Sequence, residues 1–581
     1  MKDPARVRKL GLIGGGALAF VAGIGMVEKF NERLLIAPFV TMGYLVLFGI
    51  SFVVGYLMAR GEPNPLQEPV RDPKGGALQG LVAALISAAI LLPYLILVNS
   101  FDITEFFPNM RPSMLEEMTF GLGIPVGLIV LLIATGIAGA AGGATHGLSD
   151  RIRAGLTKAV GWTLAFALFE AVFNSVFSFA EPVLDLIYTP TSALQPWSPL
   201  VIGGLVWWLS ERYAGRTSAF AISVRDSEVG SQRRKIYIFV GIVIILVLPF
   251  LMGRILNELA INIALFVLMG LGLNIVVGYA GLLDLGYVAF FAVGAYGTAV
   301  LTSTLSPTIN PELSWWVALP IVLVLATLAG IMVGTPVIRM RGDYLAIVTL
   351  GFGEIVRILL LSDWLTPFFG GAQGIRRIPG IPVPFFGEIS GIDPRSFVYF
   401  LLAFVGLAAY ISYRSQQSRI GRAWAAMRED QDVAEAIGVD TVKAKLLAFV
   451  SGAIIASFAG ALFSAKVGTV FTNSFDVLVS IIILVVVIVG GMGSIPGVMM
   501  GAVVLIGVLG GPKSPGLLQE FSEFKLLIYG ALLVYMMLKR PEGLIPSVRR
   551  SRELHQEEMG QDAWLEKYGQ PEGEATEEAA V

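Results

Sequence analysis

Charge is scarce in this chain, so the few charged residues inside its apolar runs are the first places to look for chemistry. Glu354 and Arg357 stand three apart in the run from 343 to 361. On a helix that spacing puts both side chains on one face, where they can pair. An isolated charge in hydrocarbon costs about 2.5–3.5 kcal/mol on insertion scales, so each needs the other or water. A pair facing the interior of a helix bundle either holds its helix in register or lines a path for a solute; the first role is the expectation. Thr349, Gly351 and Gly353 lie on the preceding turns and leave backbone accessible. Arg341, Gly342, Asp343 and Tyr344 start this helix, with Asp343 placed to cap its N-terminus.

A second carboxylate, Asp284, lies among apolar residues and glycines. Its neighbours Gly278, Gly281, Gly286, Gly294 and Gly297 lie in or beside one apolar run. Small residues there let helix backbones approach closely, or let a helix break beside a binding site. Alternation of the runs across a membrane puts Asp284 near the inner end of its span, where hydration is easy, which weakens its claim to a solute role.

Covalent chemistry has no footing. The chain has no cysteine, and its two histidines, His146 and His555, make no metal-ligand spacing. No G-x-x-x-x-G-K-[ST] stretch occurs, so the usual nucleotide-binding loop is missing. No Ser-His-Asp, metal or cofactor constellation stands out. The net charge of −2 offers no field for nucleic acid.

The elements that must position these residues are membrane helices. The chain has 581 residues, 55% hydrophobic and only 14% charged, against about 25% charged in soluble domains, and its mean hydropathy is +0.76. Its apolar runs are helix-length, unlike the alternating strands of a membrane barrel. Sixteen stretches read as spans, six and then ten. They are 10–27, 34–59, 77–98, 120–143, 160–178 and 199–210, followed by 236–252, 255–277, 279–303, 315–338, 343–361, 397–413, 446–465, 477–493, 496–511 and 524–538. The first follows Lys2, Arg6, Arg8 and Lys9 and imitates a signal peptide, but a second run follows at once, so it is read as retained. The fold expected is an all-α, polytopic transmembrane bundle. With the N-terminus inside, the inner segments collect most Lys and Arg, although Arg376, Arg377 and Arg395 fall outside. Both termini are then cytoplasmic.

The polar stretch from Ser418 to Phe449 interrupts these runs. Ile420, Trp424, Met427 and Val433 recur at roughly helical spacing, which gives one apolar face. Arg419, Arg422, Arg428, Lys443 and Lys445 make the stretch basic, which favours the cytoplasmic side. Gly438 supplies a stop where positive φ is cheap. The residues alone fit either a connector lying on the membrane or a helix offered to a soluble partner.

Asp432-Val433-Ala434, followed four residues after Ala434 by Gly438, resembles the E-A-A-x-x-x-G loop of ABC importer permeases, with Asp for Glu and Val for the first Ala. Four further matches resemble permeases of branched-chain amino acid ABC importers, of the LivM type. They are LNIVVGYAGLLDLGYVAFFAVGAYGTAVL from Leu273, RGDYLAIVTLGFGEIVRILLL from Arg341, GGAQGI from Gly370, and LVVVIVGGMGSIPGVMMGA from Leu484. The resemblance implies an inner-membrane transport subunit without enzymatic activity or cofactor. It would work with ABC ATPase subunits, a second permease subunit and an extracytoplasmic solute-binding protein. It also implies that Arg419, Gly421, Arg422, Asp432, Ala434 and Gly438 lie in the segment that couples to the ATPase. Gly281, Asp284, Gly286, Thr349, Gly353, Glu354 and Arg357 are left to the translocation path or to helix packing.

Three regions follow. Residues 236–545 form the permease domain, and 546–581 a polar tail, acidic at its end and expected to be disordered. Residues 1–235 form a multi-span extension with no motif of its own, whose Gly123 and Gly127, then Gly139 and Gly143, suit helix packing. The long outer segment 362–396 is where a binding protein would be received. Other solutes (urea, other amino acids, amides), a secondary transporter using Glu354 or Glu170, and a membrane scaffold remain as alternatives.

Overall fold

The computed structural model describes residues 4–59, 73–101, 104–105, 109, 111–177, 181–213, 232–306, 308, 310–337, 340, 342–384 and 387–547. Arg341, most of residues 61–76 and 211–235, and the tail after Ser547 lie outside them. The regular elements among the described residues are helices and three short two-stranded antiparallel ribbons.

The chain divides into two compact units, Met1–Ile244 and Ile245–Val581. The division falls within the helix Gln232–Leu251.

Among the described residues, nine helices are long and apolar enough to cross a membrane, or ten if the bent pair Arg151–Leu168 and Glu170–Val176 counts as one span. The sequence reading of sixteen therefore exceeds the number of full-length helices. The difference has a physical basis. Val288–Thr302 and Ile495–Leu509 are apolar but short, and Phe239–Leu251 is the apolar part of a longer helix. Ser198–Arg212 and Lys525–Lys539 have 15 residues each, against about 20 needed to cross hydrocarbon. Pro4–Gly23 carries Arg6, Arg8 and Lys9 in its first turns.

In the first unit, glycines set how close the helices come. A Cβ at Gly139 would lie 2.3 Å from the Ala84 Cβ and 2.6 Å from the Gly80 carbonyl oxygen, and one at Gly143 would lie 2.1 Å from the Gly76 carbonyl oxygen. These contacts join Ile124–Ala144 to Pro73–Ser100. The bent pair turns by 76°. Its break frees carbonyls that lipid cannot satisfy. Arg33 donates to the Leu168 oxygen at 2.8 Å, and the Tyr188 hydroxyl donates to Phe166 at 2.9 Å.

In the second unit, Arg254–Tyr279 is the most deeply buried span. It ends in a wide π-turn, Asn274–Tyr279. Residues 280–287 then leave helical form before Val288–Thr302 begins. A comparable break separates Val477–Gly490 from Ile495–Ala502. The 362–396 segment is structured: Ile375–Arg376 pairs with Thr469–Val470, and Ile381–Val383 with Gly387–Ile389.

Candidate functional site: a buried helix break and an exposed helical hairpin

The break at 280–287 is held by main-chain groups that find side-chain partners. The Asp284 carboxylate accepts from the Gly286 N–H at 2.9 Å, the Thr349 hydroxyl accepts from the Leu285 N–H at 3.1 Å, and the Ser480 hydroxyl accepts from the Val288 N–H at 2.9 Å. Gly286 presses on the helix Asp343–Leu361: a Cβ there would lie 1.9 Å from the Thr349 carbonyl oxygen. A Cβ on Gly353, one turn further on, would lie 3.2 Å from the Gly286 Cα. Four of the residues singled out in the sequence, Asp284, Gly286, Thr349 and Gly353, thus meet at one place. Asp284 is 1% exposed, not hydrated as its position in the run suggested. Its second oxygen has no hydrogen-bond partner among the described residues.

Glu354 and Arg357 lie on the same helix. The Arg357 Nε donates to the Glu354 carboxylate at 2.9 and 3.0 Å. Their side chains are 37% and 30% exposed, so the pair opens outward and is not sealed inside this unit's bundle. Ile347, Ile355 and Ile358 on the helix are exposed as well. The helix begins at Asp343 and is preceded by Gly342, so Gly342 stands where Asp343 was expected to cap.

Residues 419–438 fold as two short helices, Arg419–Glu429 and Gln431–Ala436. Gly421 is buried where the chain turns away from Pro394–Gln417; a Cβ there would lie 2.3 Å from the Gln416 carbonyl oxygen. Trp424 and Met427 are buried, and the Trp424 indole donates to the Ala444 oxygen at 2.8 Å. Arg419, Arg422 and Asp432 are exposed, and the Arg422 guanidinium donates to the Gln417 oxygen at 3.3 Å. The apolar face read from the sequence is split. Ile420 and Val433 are exposed, and so is Ile437. The second helix buries Ala434 instead. The Asp430 carboxylate caps it by accepting from the N–H groups of Asp432 at 2.9 Å and Val433 at 3.0 Å. Gly438 ends it at φ +91°, and nothing lies within 4 Å of where its Cβ would be.

Beyond this turn, Asp440 accepts from the Lys443 N–H at 2.9 Å and pairs with the Lys443 ammonium at 2.8 Å. Hydrogen bonding to Lys443 holds the Asp440 carboxyl below its ordinary range. Lys445, counted among the basic residues of the stretch, is buried, and its ammonium lies 3.4 Å from the Met340 oxygen.

Sequence reasoning missed the role of Asn274, whose side-chain oxygen accepts from the Gly493 N–H at 2.8 Å and ties the two breaks together. Its signal was available: Asn274 is the single amide side chain in the apolar stretch from Ile263 to Val277. It also counted Arg428 only as a basic residue, whereas its guanidinium donates to the Gly278 oxygen at 2.5 Å. Among the described residues, no group of three or more His, Cys, Asp or Glu could hold a metal ion.

A family model for the permease component of branched-chain amino acid transport systems matches residues 255–537. The chain is 39% identical over 338 residues to the high-affinity branched-chain amino acid transport system permease protein LivM of Escherichia coli (strain K12), covering 55% of this chain and 76% of that protein. It is 27% identical over 300 residues to a probable branched-chain amino acid transport permease protein LivM of Methanocaldococcus jannaschii, covering 48% of this chain and 84% of that one. It is also 30% identical over 161 residues to the permease protein LivH of Escherichia coli (strain K12), covering 28% of this chain and 49% of that protein. No solved structure matches the chain. The chain belongs to the family of branched-chain amino acid transport permeases, non-enzymatic multi-pass membrane subunits, and is LivM-like in its C-terminal part.

Proposed function

We propose that this chain is the transmembrane permease subunit of an ATP-driven importer for branched-chain amino acids, coupled to a separate ATPase through residues 419–438. One observation carries the coupling reading. The hairpin of Arg419–Glu429 and Gln431–Ala436 is anchored on one side by buried Trp424 and Met427, and leaves Val433 and Ile437 uncovered on the other. Apolar side chains on a capped helix amid Asp432, Glu435 and Arg419 are the expected makeup of a docking surface for a soluble partner.

The remaining partners in this reading are a second permease subunit, an extracytoplasmic solute-binding protein received at 362–396, and membrane lipids. The protein would sit in the cytoplasmic (inner) membrane with both termini inside, supported by the Lys and Arg asymmetry. Asp284, Gly281, Gly286, Thr349 and Gly353 then serve packing at the break. Glu354 and Arg357 line the outward face of Asp343–Leu361, next to the solute path. Residues 1–235 form an added membrane module that precedes the permease region 236–545 in sequence, and sixteen crossings would require every short apolar helix to traverse as well.

The native chain has no cysteine, so Ile437→Cys gives a single reporter. In the assembled complex it should cross-link to the ATPase subunit. A fully assembled, ATP-hydrolysing complex that gives no such cross-link would defeat the docking reading.

A further inference from the structure

One side chain of the hairpin bonds directly to the first helix break. Arg428 sits at the end of Arg419–Glu429. Its stem passes directly over Gly281, where a Cβ would lie 2.7 Å from the Arg428 Cγ and 3.2 Å from its Cβ. Its guanidinium then donates to the Gly278 carbonyl oxygen at 2.5 Å. That carbonyl belongs to the π-turn Asn274–Tyr279, the start of the first helix break. The same guanidinium faces the second break: a Cβ on Gly493 would lie 3.7 Å from its Nη1 and 3.5 Å from the Gly278 oxygen. Asn274 closes the arrangement by accepting from Gly493. A cavity of about 110 Å3 surrounds the contact, lined by Gly278, Arg422, Arg428, Gly493 and Ser547 among others.

Each feature has a physical reason. A π-turn leaves carbonyls poorly matched to backbone donors, and a cation is the strongest donor available to one. Gly281 sits at φ +72° and has no side chain to block the stem. At Gly278 a Cβ would lie 2.6 Å from the Gly493 nitrogen, so the two breaks also approach backbone to backbone. The cavity leaves room for the guanidinium to shift.

We propose that Arg428 is a positioning residue for coupled transport, transmitting displacement of the 419–438 hairpin to both helix breaks at once. The proposal rests on the reading that this hairpin docks the ATPase. In it, partner-driven motion of the hairpin pulls on Gly278, and through the Asn274–Gly493 bond the 491–494 turn must follow. Arg428 makes no contact with solute; it acts through the breaks.

The test uses the complete complex, with ATPase, second permease and binding protein, in proteoliposomes. Uptake per ATP hydrolysed is measured with leucine as the probe, alongside the Ile437→Cys cross-link. Arg428→Ala should retain the cross-link and lose about tenfold or more in uptake per ATP, the loss expected of a charge-assisted bond. Arg428→Lys, which keeps a donor on a flexible stem, should recover much of it. Gly281→Val, which pushes the stem aside without touching the charge, should behave as Arg428→Ala does. Unchanged uptake per ATP in Arg428→Ala, with the cross-link intact, overturns the proposal. So does loss of the cross-link or of assembly in both Arg428 variants, which would make Arg428 a packing residue. Absence of the cross-link in otherwise unsubstituted chain would instead bring down the docking reading itself.

Discussion

At Gly438 a side chain would meet nothing, yet the backbone lies at φ +91°. Substitution there therefore tests conformation and not space. A β-branched residue in the left-handed region is strained by about 1–2 kcal/mol or more. Gly438→Val should therefore reduce co-purification of the ATPase and substrate-stimulated hydrolysis, with the chain still inserted; Gly438→Asn should do less harm. Equal hydrolysis in all three proteins would refute the role given to this turn. Asp440 makes a pH prediction. Its carboxyl is held below the ordinary 3.8 by Lys443, so the ionised form is favoured in the folded state. Its contribution is present above pH 3.8 and is lost as pH falls through the lowered native value. A difference in thermal midpoint between wild type and Asp440→Asn should therefore shrink on acidification below that point. A difference that stays constant with pH would assign it to something other than charge. Residue types were legible here to an uneven degree. Gly438 announced a helix stop because its function is local. The side chosen by Ile420, Val433 and Lys445 was not legible, because burial depends on which neighbouring helix arrives, as Lys445 shows by reaching Met340.

Helices in this protein meet where side chains are missing, so enlargement should be costly. Gly139→Val would place atoms well inside the 2.3 Å and 2.6 Å approaches to Ala84 and Gly80. Overpacking of this kind costs about 1–3 kcal/mol, and more where backbone must move. The variant should melt lower in detergent, whereas Gly241→Ala, which faces open space, should melt as wild type does. The ion pair on Asp343–Leu361 calls for a double-mutant cycle on expression and uptake. If Glu354 and Arg357 act as a unit, Glu354→Gln and Arg357→Gln should each harm more than the two combined. Additive losses would mean that the residues act separately on the solute path. The existence of helices was readable from apolar run length. Their breaks were readable only as one of two uses of the glycines: residues 279–303 read as one run because 280–287 are nearly as apolar as a helix, and Asp284, with its bond to Gly286, marks the unwound turn.

For the whole molecule, the directional reading makes a clean prediction. Single cysteines can be placed without background. One at position 380 should react with an impermeant reagent only from the extracytoplasmic side, and one in the 419–438 hairpin only from the cytoplasm. The reverse pattern would invert the topology. Reconstituted by itself, the chain should neither hydrolyse ATP nor concentrate leucine. Uphill uptake driven by a proton or sodium gradient would instead support a secondary transporter.

The last described stretch of chain has a consequence for timing. Leu544 donates to the Val489 oxygen at 2.8 Å and Ile545 to the Gly490 oxygen at 3.0 Å, while Ser547 lines the cavity at Arg428. These residues leave the ribosome after every described helix of the permease has been made. The second helix break is therefore locked by residues made after both helices that it joins, Val477–Gly490 and Ile495–Ala502. Loss of residues 544–547 would leave every full-length span in place and free the Val489 and Gly490 carbonyls.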